Sequence, residues 1–213
     1  TFVAKNGQVV HNKAYGYRNI EKQIPATTTD IYRMASQTKA ITSAALMTLY
    51  EEGRFLLDDP ISKYIPEFAN PQVLVDFNEA DTTYTTKPAK SEITIRQLLS
   101  HQSGIHYGIL GGGNGGKMYA KYNIPAVNSL APETIEQVVK KIAKMPLMFD
   151  PGEKYMYGMN TDVIGYLIEV LSGQKLDAFI TQRILKPLGM GDTYFYLPKE
   201  KADRLVTLYS SSS

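Results

Sequence analysis

The sequence predicts an α+β fold: one N-terminal β-hairpin followed by a mostly helical chain. Three observations carry this reading. Apolar and polar residues alternate around Asn6-Gly7 in "TFVAKNGQVVHNKAYGY". Residues 36–52 place apolar side chains around most of a helix's circumference, and Gly53 closes the run. Several later segments open on a capping residue or a proline and stop at glycine.

Composition narrows the function classes. Apolar residues at 43% and charged residues at 21% are ordinary globular values, which argues against disorder and fibrous structure. The 213 residues suffice for one large domain or two small ones with a real core. A net charge of +2, from 23 basic and 21 acidic side chains, supplies no footprint for nucleic acid or an anionic membrane. No cysteine is present, so disulfides and thiolate metal sites are excluded. His11, His101 and His106 lack zinc-site spacing, so a histidine zinc site is not expected. No apolar run approaches the ~18 residues of a membrane span.

Taken in order, Asn-Gly supplies the positive φ angles of a two-residue turn, so 2–17 reads as a hairpin. "LLDDPISKYIPEF" reads as loop with short helical turns, and Asp58 and Asp59 as a solvated turn. Residues 70–93 read as polar and irregular. "TIRQLLSHQSG" is a short helix capped by Thr94, and 108–117 a glycine-rich loop. "APETIEQVVKKIAKM", "TDVIGYLIEVLSG" and "KLDAFITQRILKPLGM" are three further helices. "YSSSS" reads as a tail. The expected organisation is a hairpin part over 1–35, a helical region over 36–205 and a tail over 206–213. The hairpin needs partner strands that no later segment supplies, so the chain is expected to be incomplete at both ends.

The chemistry concentrates in "MASQTKA". Ser36 and Lys39 are three apart, and on a helix such side chains share a face with β-carbons about 5–6 Å apart. A serine hydroxyl is a weak nucleophile until a neighbouring base takes its proton. An ammonium enclosed by apolar surroundings is disfavoured as a cation, so burial would ready the amine for that role. The helix N-terminus favours an oxyanion forming at Ser36. The competing reading makes Ser36 an N-cap and Lys39 a solvated first-turn side chain. A second S-x-x-K copy, Ser172 to Lys175, has Gly173 inside it and marks a helix end. "GGGNGGKM" fits G-x-x-x-x-G-K, but Met118 stands where a magnesium-binding Ser or Thr is required, and nucleotide binding is set aside. The glycines are expected to form a loop at a pocket mouth, lined by Tyr107, Tyr119 and Tyr122, or a solvated loop without a role.

The stretch "IYRMASQTKAITSAALMTLYEEGRFLLDDPISKYIPEF" resembles the serine β-lactamase and penicillin-binding protein superfamily, nearest to its class C-like group with serine esterases and D-alanyl peptidases. "TIRQLLSHQSGI", "FDPGEKYMYGMNTDVIGYLIE" and "ILKPLGMGDTYFYLP" extend the resemblance, leaving 69–93 and 106–140 as weakly matched insert. The resemblance implies a β-lactamase/transpeptidase-like fold, an antiparallel sheet flanked by helices plus a mostly helical lobe. It implies Ser36 as nucleophile, Lys39 as base and Tyr157 as proton relay; a buried core tyrosine is the alternative for Tyr157. Chemistry of that kind needs neither a metal nor an organic cofactor. It also implies His101 as a structural residue tying a loop down. In the family's Y-x-N element the asparagine position here holds Met159, with Asn160 one residue later. These two, with Tyr107, are the substrate-side candidates. Because Met159 cannot act as an amide, the departure leans toward ester hydrolysis. The family's third element, a K-T-G-like strand with a second oxyanion donor, is expected beyond residue 213. The implied partner is a small-molecule ester or amide substrate. A D-alanyl peptidase or β-lactamase, and a non-catalytic binding relative, are the rival functions. Export to the periplasm or beyond is what the resemblance implies for location; the residues leave the cytoplasm open.

Overall fold

In the computed structural model, which describes residues 1–125 and 132–210, Asn6 and Gly7 both take positive φ, 50° and 74°. Those angles match the turn to the right-handed twist of its strands. Strands β1 (Phe2–Lys5) and β2 (Gln8–Asn12) therefore pair antiparallel, with a bulge between Val3 and Ala4. The hairpin stops at Asn12 rather than running on to Tyr17, because Tyr17 opens β3 (Tyr17–Asn19), which pairs with β4 (Ile24–Pro25).

The chain divides into two units, Thr1–Gln37 with Met190–Ser213, and Thr38–Gly189. This departs from the expected extents of 1–35, 36–205 and 206–213. Residues 190–210 join the first unit through backbone pairing: Ile31 bridges Leu205 in parallel, and Val206 N–H donates to Ile31 C=O at 2.9 Å. Thr207 N–H donates to Arg18 C=O at 2.9 Å, and the Tyr209 hydroxyl accepts from Ile20 N–H at 2.8 Å. Residues 206–210 are thus tied into the unit rather than forming a tail; the rest of the expected tail, 211–213, lies outside the described residues. Asp192 fastens the segment further, accepting from Arg204 and Lys201, each at 2.6 Å.

In the second unit, α1 (Thr38–Glu51) buries Thr42, Ala45, Leu46 and Leu49. Enclosing a leucine such as Leu46 contributes about 1.5–3 kcal/mol. Helix α1 packs on α5 (Asn160–Ser172), which also receives α2 (Ile95–Leu99), α4 (Ile135–Ile142) and α6 (Leu176–Ile180). Arg54 ties the ends of α1 and α5 by donating to Leu171 C=O at 2.6 Å. Thr94 and Thr134 each head a helix with a reciprocal capping box, closed by Gln97 and Gln137. The expected start of α4 at Ala131 lies outside the described residues. Asp58 and Asp59 part company: Asp58 pairs with Arg96, while Asp59 accepts from Leu56 N–H, Lys63 and Tyr64.

Two segments differ from expectation. Residues 70–93, read as irregular, contain a hairpin of β5 (Gln72–Phe77) and β6 (Tyr84–Pro88), and β5 is extended by pairing with Leu147. The glycine-rich stretch is no loop: a short 3-10 turn, Gly108–Gly111, leads into α3 (Gly113–Lys121). The physical reason is His106, whose imidazole is 7% exposed. A β-carbon on Gly111 would come within 2.5 Å of that ring, and one on Gly115 within 2.6 Å. The glycines make room for a side chain of the same chain. Tyr119, expected at a pocket mouth, is 1% exposed and packs edge-on against His106; Tyr122 instead meets Tyr84, hydroxyl to hydroxyl at 3.4 Å. No helix among the described residues is long and apolar enough to cross a membrane.

Candidate active site

Ser36 lies in the 3-10 turn Ala35–Gln37 that runs straight into α1, and it is exposed. The helix begins at Thr38 rather than at Ser36, because Ala35 turns the chain with φ of +44°. That is the left-handed region, uncommon for a residue with a β-carbon and of the order of 1–3 kcal/mol in strain. Lys39 is the second residue of α1 and is half-buried.

Two aromatic rings stand near the end of the Lys39 side chain. Its Nζ stands 4.7 Å from the Tyr157 ring centroid and 5.7 Å from that of Tyr107. The two rings meet edge to face, 5.0 Å apart at 72°. A cation over such rings gains about 0.5–2 kcal/mol, more as water is excluded. The ammonium is thereby kept beside a phenol that is itself 37% exposed.

Tyr157 owes its place to two segments laid side by side. Gly152 N–H donates to Gln102 C=O at 2.8 Å, Met156 N–H to His101 C=O at 2.9 Å, and Met159 N–H to His106 C=O at 3.2 Å. His101, at φ of +55°, stacks on Tyr157 with centroids 4.8 Å apart and planes 18° from parallel. Its Nδ1 receives Gly158 N–H at 3.2 Å. Gly158 is required there: a β-carbon would overlap the Ile105 carbonyl oxygen. Burial, then the charge of Lys39, pushes the His101 imidazole below its usual range. Burial pushes the Asp162 carboxyl, in the first turn of α5, above its usual range, and Lys39 pulls it partly back.

Lys39, Tyr107 and Tyr157 are brought together. Met159 and Asn160 are placed differently from a substrate-facing pair. Met159 is the residue just ahead of α5 and is 5% exposed; Asn160 opens the helix and is fully buried. The Asn160 amide is already engaged, by the Ser103 hydroxyl at 2.5 Å and by His101 Nδ1 at 3.0 Å. From the sequence, Ser103 is set aside as part of a helix-ending "SG", and Asp162 draws no notice. The signal for Ser103 was its place in "HQSG", two residues after the histidine; nothing in the sequence marked Asp162.

The architecture is that of the β-lactamase/transpeptidase-like α+β fold. EstCE1, described as a hydrolase with promiscuous acyltransferase activity, superposes with a TM-score of 0.81 at 28% identity, over 99% of this chain and 51% of that one. The sequence model of the Beta-lactamase family matches residues 1–213, and the chain belongs to that family. Lovastatin esterase of Penicillium rubens is 36% identical over 212 residues, 96% of this chain and 50% of that protein. Esterase EstB of Burkholderia gladioli is 32% identical over 193 residues, 91% of this chain and 45% of that protein. The chain spans about half the length of the curated relatives it matches.

Proposed function

We propose that this chain carries the nucleophile, base and proton relay of a serine hydrolase that works through an acyl-enzyme, with esters as substrates. The observation that supports it most is the Lys39 ammonium seated 4.7 Å over the Tyr157 ring, with Ser36 three residues ahead in the chain. In this reading the Lys39–Tyr157 pair starts one proton short of ammonium plus phenol. Ser36 attacks the carbonyl as its proton passes to that pair, and Tyr157 hands a proton to the leaving group. Water then attacks the acyl-enzyme and returns the serine. The first N–H groups of α1 favour the negative charge that develops at the carbonyl oxygen.

The ester preference rests on Met159 and Asn160. A methionine takes the sequence position at which the family's amide would grip an acylamino side chain, and the neighbouring amide is buried and committed to Ser103 and His101. Relatives named as esterases agree with this preference. The test is parallel turnover of p-nitrophenyl butyrate, a chromogenic cephalosporin and a D-Ala-D-Ala peptide by the protein at its natural length, with mass spectrometry after a fluorophosphonate. A single adduct on Ser36 and fastest turnover of the ester are expected. Cephalosporin hydrolysis as fast as ester hydrolysis would overturn the preference; a folded protein that takes no adduct would overturn the enzyme reading in favour of a binding relative.

A further inference from the structure

The hydrogen bonds behind Tyr157 run in one direction. Ile105 N–H can only donate, and it gives its proton to the Ser103 hydroxyl oxygen at 3.1 Å. That hydroxyl therefore gives its own proton to Asn160 Oδ1, at 2.5 Å. The carbonyl end of the amide is fixed by this bond, so the Nδ2 end faces His101 Nδ1 at 3.0 Å and donates. Gly158 N–H, again a donor without choice, points at the same nitrogen. Two donors converge on His101 Nδ1, which must carry a lone pair. Ser103 and Asn160 are both fully buried, so no water re-sorts the chain.

We propose that His101 is a positioning residue that clamps Tyr157 beside Lys39 only while its imidazole is neutral and protonated at Nε2. Asn160, the residue displaced from the family's amide position, is the part that locks this tautomer. A proton on Nδ1 would face the Gly158 N–H and the Asn160 amide donor to donor, and would put a second cation beside Lys39. The loop carrying Tyr157 would lose its anchor, and the phenol its register over the ammonium. The groups around His101 agree. Lys39 from α1 opposes a positive imidazole, and Tyr155 and Tyr157 from the loop before α5 pack on the ring edge-on and stacked. Asp162 on α5 responds to Lys39 and is held toward its neutral form by burial, and the imidazole's own shift comes from burial and Lys39. Burial and Lys39 together keep His101 neutral down to a lower pH than a free histidine.

The proposal rests on Tyr157 serving the reaction described above, and two readouts keep the two claims apart. In protein with 15N-labelled histidine, two-bond proton–nitrogen correlations report which ring nitrogen of His101 is protonated. The Nε2–H form is expected at neutral pH, with the Gly158 amide resonance shifting on the same midpoint as the imidazole as pH falls. An Nδ1–H tautomer, or a Gly158 amide indifferent to that titration, would overturn the clamp whatever the activity. Ester turnover is expected to fall roughly tenfold per pH unit below the same midpoint. In His101→Asn, whose amide oxygen replaces Nδ1 as acceptor and whose type tolerates positive φ, that acid limb is expected to vanish while turnover at neutral pH stays within about tenfold. An unchanged limb in a folded variant would overturn the proposal. Co-titrating resonances in a protein that hydrolyses no ester at any pH would uphold the clamp and sink the hydrolase reading.

Discussion

Lys39 has a place that its own helix does not explain. On α1 it stands in the first turn, where a cation is poorly matched to the helix dipole. Two rings from elsewhere in the chain, Tyr107 and Tyr157, stand against its terminal nitrogen at 5.7 and 4.7 Å. Lys39→Met keeps the length and apolar stem of the side chain and removes the amine. If the amine moves the serine's proton, kcat/KM for p-nitrophenyl butyrate falls by about 10²-fold or more. Stability changes by only about 1 kcal/mol, since a cation–π contact is replaced by a thioether–aromatic one. Activity within a few-fold of the parent would remove Lys39 from the reaction. Ser36 and Lys39 could be nominated from the sequence because their spacing is local, and Tyr157 because a short motif of the resembled family falls on it. The stacking of His101 on Tyr157 spans 56 residues of chain, and spacing carries no information about such a meeting.

At the scale of elements, the parts governed by local chemistry were the readable ones. The Asn6-Gly7 turn fixed its own hairpin, and Thr94 and Thr134 announced their helices because a hydroxyl that accepts from the N3 amide lies within one turn. Thr94→Ala opens the box at α2, the helix that leads into His101 and packs on α5. It should cost about 1 kcal/mol in urea denaturation with an unchanged slope, and an unchanged midpoint would show that the cap contributes nothing. The unread elements depend on partners far away. Strand β6 is threonine-rich and mostly exposed, so it has β-branched propensity but no apolar alternation to betray it. Helix α3 carries three glycines and reads as loop by propensity; tertiary packing around His106 overrides that preference.

For the molecule as a whole, protonation links these sites to stability. Burial pushes both His101 and His106 below the ordinary 6.5, so the unfolded chain takes up protons first on acidification. Their contribution is complete above pH 6.5 and is lost as pH falls through the lower folded values. Asp59, held at about 2 by the Tyr64 hydroxyl and the Leu56 amide, behaves alike in a lower window, between 3.8 and about 2. Asp162 works the other way: folding favours its protonated form, so its contribution accrues above pH 3.8 as pH falls and leaves the second loss unchanged. The midpoint of thermal unfolding, followed by circular dichroism, should therefore decline from pH 8 to 5.5 and again below 4. A maximum near pH 5 would contradict the burial of the two histidines.

The imidazole held between Gly111 and Gly115 makes positions 106, 111 and 115 a single spatial quantity divided among three codons. Bulk added at either small position has to be surrendered by the ring, so these sites are constrained to drift together and their substitutions will not sum. Lettering that superficially advertises a nucleotide grip is here the imprint of an interior lodger.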